Sequence, residues 1–187
     1  MVEYWISYAQ PGRTVAVCVL GSALLLAGAH LFERLGNMPP CILCLDQREA
    51  HWAALAAGGL TLLLTRVTER PGRFLAAALG ALSLIYFFSA ALAAYHAGVE
   101  WGLWPGPQSC AVSADFSMAT GMEILGSLAE AAPGPSCSEA AWRMFGISMA
   151  GYNAVISLAL GSLAVLSCLR TARGLRQDRV RAAALVH

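Results

Sequence analysis

The stretch FLAAALGALSLIYFFSAALAAYH, residues 74–96, holds no Asp, Glu, Lys or Arg. A run this long and apolar suffices for one helical passage through a bilayer, which takes roughly 20 residues. Three further stretches read the same way, at about 14–32, 45–65 and 144–169. The apolar part of the second, Ala50–Thr65, is short, and the reading extends it through Leu45–Glu49 toward the headgroups. Composition agrees. Of 187 residues, 58% are hydrophobic and 12% charged, with a mean hydropathy of +0.60; a soluble domain carries about twice that share of charge. The expectation is an all-α membrane protein forming one domain over 1–187. It is a four-transmembrane-helix bundle, with outer loops at about 33–44 and 97–143 and a cytoplasmic tail at 170–187.

Net charge is a formal +1 and says little, but the charges segregate. Lysine is absent. Arg13 precedes the first span, Arg66, Arg70 and Arg73 lie between the second and third, and Arg170, Arg173, Arg176, Arg179 and Arg181 follow the last. Glu33, Asp46, Glu49, Glu100, Asp115, Glu123, Glu130 and Glu139 collect on the other side. The positive-inside rule then places both termini and the 66–73 loop in the cytoplasm. Four spans require both termini on one side, so the two signals agree. The first span exceeds a signal-peptide core, and removing it would leave an odd number of spans, so it is read as retained. The Arg-rich tail reads as a topology anchor attracted to anionic lipid.

Pro11-Gly12 sets off a short N-terminal segment whose Tyr4, Trp5 and Tyr8 suit the membrane interface. Pro39-Pro40 cannot continue a helix from upstream but suit the start of the next. In the long outer loop, Met118, Met122, Leu125 and Leu128 recur at helical spacing, with Glu123 and Glu130 off that stripe. A short amphipathic helix on the membrane, or packed on the domain's own top, is expected there. Gly58, Gly59, Gly146, Ala150, Gly151, Ala154 and Gly161 are small residues suited to close helix approach in lipid. No nucleic-acid or phosphate-binding pattern is present.

Six cysteines divide in two. Cys18 and Cys168 lie within spans and read as small apolar residues. Cys41, Cys44, Cys110 and Cys137 all fall on the outward side, which in a bacterial inner membrane is oxidising. Structural disulfides are one reading of these four. A zinc site is a weaker one, because it usually takes two CxxC knuckles and the second pair here is 27 apart. Catalytic exchange is the third and is favoured. A disulfide closing so small a ring as Cys41–Cys44 gains little entropy and makes poor structural glue. At a helix start, moreover, the unpaired N–H groups and positive dipole end stabilise a thiolate. Arg48, four residues on from Cys44, shares its helix face.

Pro40-Cys41-Ile42-Leu43-Cys44-Leu45-Asp46-Gln47-Arg48, the Cys110/Cys137 pair and Tyr95-His96-Ala97-Gly98-Val99-Glu100 resemble the disulfide bond formation protein B (DsbB) family of quinone-dependent membrane thiol oxidases. The resemblance covers nearly the whole chain. Vitamin K epoxide reductase-like proteins are similar in architecture but carry their CxxC on the last span, which has none here. The family resemblance implies a protein-thiol:quinone oxidoreductase. A reduced, DsbA-like thioredoxin-fold partner in the periplasm would attack Cys110 of a Cys110–Cys137 disulfide. Cys137 would then attack Cys41 and release Cys44, which would pass electrons to ubiquinone or menaquinone. Arg48 would stabilise the thiolate and the developing quinone anion, and Gln47 and His96 would line the quinone site. No metal is expected. The competing reading is a non-catalytic membrane scaffold whose outer cysteines only staple loops.

Overall fold

The computed structural model describes residues 2–69, 71–107, 110 and 136–185, the first nine of these by backbone alone. Four long helices make up nearly all of it: α1 (Val2–Leu35), α2 (Ile42–Leu64), α3 (Gly72–Glu100) and α4 (Met149–Ala184). Strands β1 (Arg143–Met144) and β2 (Ile147–Ser148) form a two-stranded antiparallel ladder just before α4, pairing Arg143 with Ser148 and Met144 with Ile147. The amphipathic helix expected around Met118–Leu128 lies outside the described residues.

Burial is inverted relative to a water-soluble bundle. Leu20, Leu24, Leu63, Leu84, Phe88, Val155 and Leu158 point outward, while Ser22, His51, Ser83, Ser89 and Ser157 are buried between the helices. Lipid tails accept the outer leucines, and the polar groups find partners only inside. The apolar centre is Val15, Cys18, Ala54, Leu75, Leu79, Leu82, Tyr86, Leu160 and Ala164. Cys18 sits in it, and Cys168 packs against it. Gly58 allows α1 to approach α2, since a Cβ there would meet Val19 at 2.5 Å.

Among the described residues, three helices are long and apolar enough to cross a membrane, through Pro11–Leu35, Gly72–Glu100 and Met149–Ala184. α2 falls short of that measure because Asp46, Gln47, Arg48 and Glu49 occupy its first two turns.

Several boundaries differ from the sequence reading. α1 runs unbroken through Pro11, since one missing N–H bond does not end a helix of 34 residues. α4 starts at Met149 rather than 144, because the Phe145-Gly146 turn folds the preceding residues into the hairpin. Both turn residues have positive φ, 50° and 80°, as a two-residue hairpin turn requires. Gly146 thus serves a turn, not helix packing, and Gly59 faces open space. The basic tail is helical as far as Ala184.

Candidate functional site

At the N-terminal end of α2, Cys41 is the N-cap. Its backbone is still extended, and its Sγ accepts the Cys44 backbone N–H at 3.3 Å. A Ser or Asp oxygen usually does this work. Here a sulfur sits over the open N–H groups, where the helix dipole favours negative charge. From α3, His96 brings Nε2 within 3.6 Å of the same sulfur. Pro39 and Pro40 stop short of the helix, so the free N–H groups face the cysteines.

Cys110 and Cys137 form a disulfide. It packs directly on the first pair: Cys41, Leu43, Val99 and Cys137 are one buried cluster, with Cys44, Leu92 and Cys110 against it. Cys137 is 1% exposed and Cys41 5%. Cys137 is enclosed beside Cys41, Leu43 and Val99.

With both thiols of the first pair reduced, Cys44 is held below the usual thiol range. The Cys41 thiol donates to it, and a backbone N–H and Arg48 assist, against burial and Glu100. Cys41 is pushed up, first by that shared proton and next by burial. Cys44 is therefore the thiolate of the pair.

Gln47 lies one turn below. Its Nε2 donates to the Leu43 carbonyl at 3.1 Å and to His96 Nδ1 at 2.8 Å. Its Oε1 accepts from Asn153 Nδ2 of α4 at 2.7 Å. Asn153 Oδ1 in turn meets Ser157 Oγ at 3.0 Å and His51 Nε2 at 2.8 Å. His51 Nδ1 faces Ser22 Oγ at 3.2 Å, and Ser22 Oγ faces the Tyr86 hydroxyl at 2.8 Å. A chain of polar contacts thus descends from the cysteines into the bundle.

Arg48 turns the other way, to α1. Its Nη1 is paired with Glu33 Oε2, and its Nη2 donates to the Ala29 carbonyl at 3.3 Å. The sequence reading left Arg48 only the Cys44 thiolate and a quinone oxygen as partners. Glu33 corrects this: the last turn of α1 reaches the level of Arg48, which spacing within α2 cannot reveal.

Cys41, Cys44 and His96 have donor atoms within 4.8 Å of one another, the minimum of a metal-binding set. The Gln47 NH₂ faces His96 Nδ1, which leaves Nε2 as the ring nitrogen facing the sulfurs. Glu100 Oε1 stands 3.8 Å from the same nitrogen, its side chain 6% exposed.

The structure therefore gathers Cys41, Cys44, Gln47, His96, Cys110 and Cys137 at one place and sets Arg48 at its edge. Sequence reasoning missed Glu33, Asn153 and Glu100 as members. Asn153 did leave a signal, as an amide inside a span that must have a polar partner.

Residues 12–167 match the family model described as Disulfide bond formation protein DsbB. The chain is 30% identical over 183 residues to Disulfide bond formation protein B of Verminephrobacter eiseniae (strain EF01-2), spanning 95% of this chain and 96% of that one. It is 28% identical over 168 residues to Disulfide bond formation protein B of Polaromonas naphthalenivorans (strain CJ2), spanning 87% and 94%. No solved structure matches it.

Proposed function

The chain belongs to the DsbB family of disulfide bond formation proteins, and on that premise we propose that it is a protein-thiol:quinone oxidoreductase of the bacterial inner membrane. In this reading it reoxidises a DsbA-like, thioredoxin-fold dithiol protein in the periplasm. The observation that carries the proposal is the packing of the Cys110–Cys137 disulfide on Cys41 and Cys44. A staple for a loop has no need to lie against a second, unpaired dithiol.

The steps are thiol exchanges. The partner's thiolate attacks Cys110, and Cys137 leaves with the electron pair; the partner's second thiolate then displaces Cys110, so that the partner departs as a disulfide and Cys110 is a thiolate. Cys137 then attacks Cys41 of an oxidised Cys41–Cys44 pair, and Cys44 leaves as the thiolate that the helix start and Arg48 stabilise. Quinone, ubiquinone or menaquinone, accepts two electrons and two protons when bound. The residues present fit such a group. Cys44 is partly exposed and Arg48 lies one turn on, beside α1, while a separate apolar groove of about 640 Å³ between α2 and α3, lined by Leu84, Ile85, Phe88 and Leu92 with Asp46 and Glu49, opens on another face of α2. Arg48 would face the quinone oxygen, with Gln47 and His96 supporting the cysteines.

The proposal includes α2 as the fourth span, within a single membrane domain. Its polar first turns reach the outer headgroups, and both termini lie in the cytoplasm, as the arginine distribution supports. A membrane-impermeant thiol reagent should label cysteines introduced at 97–143 from outside, and at 66–73 only after permeabilisation. The reverse pattern would overturn the orientation.

The activity is tested with purified protein, a reduced thioredoxin-fold dithiol partner and quinone. Partner oxidation with stoichiometric quinone consumption, abolished by Cys44→Ala, is the expected result. Stable disulfides without quinone consumption would indicate a scaffold.

A further inference from the structure

His96 has two ring nitrogens, and the one that carries the proton is set by what faces the other. Nδ1 faces the Gln47 amide at 2.8 Å, and Nε2 faces Cys41 Sγ at 3.6 Å. Were Gln47 to present its oxygen, Nδ1 would have to hold the proton; presenting NH₂, Gln47 makes Nδ1 an acceptor. Two contacts decide which way the amide lies. The Leu43 carbonyl, 3.1 Å from Nε2 of Gln47, can only accept. The Asn153 Nδ2, 2.7 Å from its Oε1, can only donate. Asn153 is oriented by Ser157 Oγ and His51 Nε2, which both meet its Oδ1.

We propose that Asn153, acting through Gln47, is a positioning residue that fixes His96 in the neutral tautomer with its proton on Nε2, aimed at Cys41 Sγ. The proposal rests on Cys41 taking part in the exchange described above. When a thiolate at Cys110 attacks Cys137 of a Cys41–Cys137 bond, the Cys110–Cys137 bond forms and the Cys41–Cys137 bond breaks. The electron pair leaves on Cys41 Sγ, and no net electron is gained or lost. That sulfur then accepts two hydrogen bonds, from His96 Nε2–H and from the Cys44 backbone N–H, in a cluster where water contributes little. With the other tautomer a ring lone pair would face the nascent thiolate and repel it.

The ionisable groups facing this pair are Cys44 from α2 and Glu100 from α3. Arg48 acts on Cys44, and Arg143 acts on Glu100. None of them touches Nδ1; Glu100 Oε1 at 3.8 Å and a backbone hydrogen bond with Cys137 also act on the ring, so the part played by Gln47 and Asn153 is read from the change between variants.

The test is the ¹⁵N spectrum of histidine-labelled protein in nanodiscs, with the His96 signals assigned by their loss in His96→Gln. Alongside it, quinone reduction is followed with dithiothreitol as electron donor and decylubiquinone as acceptor. Wild type should show the proton on Nε2. In Asn153→Asp an oxygen faces Gln47 Oε1, the amide turns over, and the proton should move to Nδ1. Losing one hydrogen bond to a charged sulfur should slow kcat about tenfold, while the quinone KM stays at its wild-type value. Asn153→Leu adds no charge and should give mixed tautomers with a smaller loss of kcat. An unchanged His96 signal in Asn153→Asp would overturn the proposal. So would a slowed Asn153→Asp enzyme beside an Asn153→Leu enzyme with wild-type spectrum and rate, which assigns the effect to the new charge. Peptide mapping of the Cys110–Cys137 bond checks that each variant has folded. If wild type shows the Nε2 proton yet reduces no quinone, it is the functional reading that fails.

Discussion

Arg48 is held by Glu33, across the gap between the second turn of α2 and the last turn of α1. The pair is partly buried, with Arg48 14% and Glu33 34% exposed by side chain. A lone guanidinium at the membrane interface is costly, and Glu33 offsets that cost while leaving other N–H groups for a second acceptor.

Replacing Arg48 with Leu should therefore raise the quinone KM roughly tenfold, the loss expected for a hydrogen bond to a charged group. Attack by the soluble dithiol on Cys110 should keep its rate. Glu33→Gln should instead leave Arg48 less restrained and more strongly positive, lowering the KM. An unchanged KM in Arg48→Leu would reduce Arg48 to an interface anchor paired with Glu33.

In Cys44→Ala the Cys41 thiolate should attack Cys137 of the Cys110–Cys137 bond, forming a Cys41–Cys137 bond and releasing Cys110 as a thiol. Cys137 already lies in the buried cluster with Cys41, and without Cys44 the dithiol cannot re-form its own ring. Peptide mapping of the oxidised variant, with free thiols blocked beforehand, reads this directly. Recovery of Cys110–Cys137 alone would mean that the two pairs do not communicate.

Thiolate chemistry should persist below the pH range of an ordinary thiol. The depressed Cys44 value means the thiolate is present above it and is lost only as pH falls through it. Iodoacetamide should thus label Cys44 in fully reduced protein below the pH range of an ordinary thiol. Cys41→Ala removes the hydrogen bond that does most to lower the Cys44 value and should move the labelling midpoint upward. The same midpoint in both proteins would show that Cys41 does not share its proton with Cys44.

Gly98 is the site of a steric prediction. A Cβ there would lie 2.1 Å from the Trp104 ring, which donates to the Tyr95 carbonyl at 2.9 Å and stacks on the Tyr95 ring. Gly98→Ala should expel Trp104, cost roughly 1–3 kcal/mol of stability and shift tryptophan emission. Wild-type thermal stability and emission would show that the strap after α3 yields without cost.

The long apolar helices and the cysteine motif were legible because each rests on a local pattern: an uncharged run, a two-residue spacing. Helix rotation was not. In lipid both faces of a helix carry apolar residues, so Leu84 outside and Leu82 inside look alike in sequence. The contact between Gln47 and Asn153 joins positions 106 apart and depends on that rotation. The partner of Arg48 was hidden for the same reason. The hairpin before α4 went unread because two-residue strands carry no period, although Phe145-Gly146 stood in the place of its turn.

Cys137 lies buried against Cys41 while its own bond to Cys110 is intact. The two sulfur pairs thus meet at a high effective concentration set by the fold, not by diffusion of a loop. Under the proposed function, internal transfer should then be independent of protein concentration and nearly insensitive to solvent viscosity. Throughput would be governed by how often a soluble dithiol collides productively with the membrane surface.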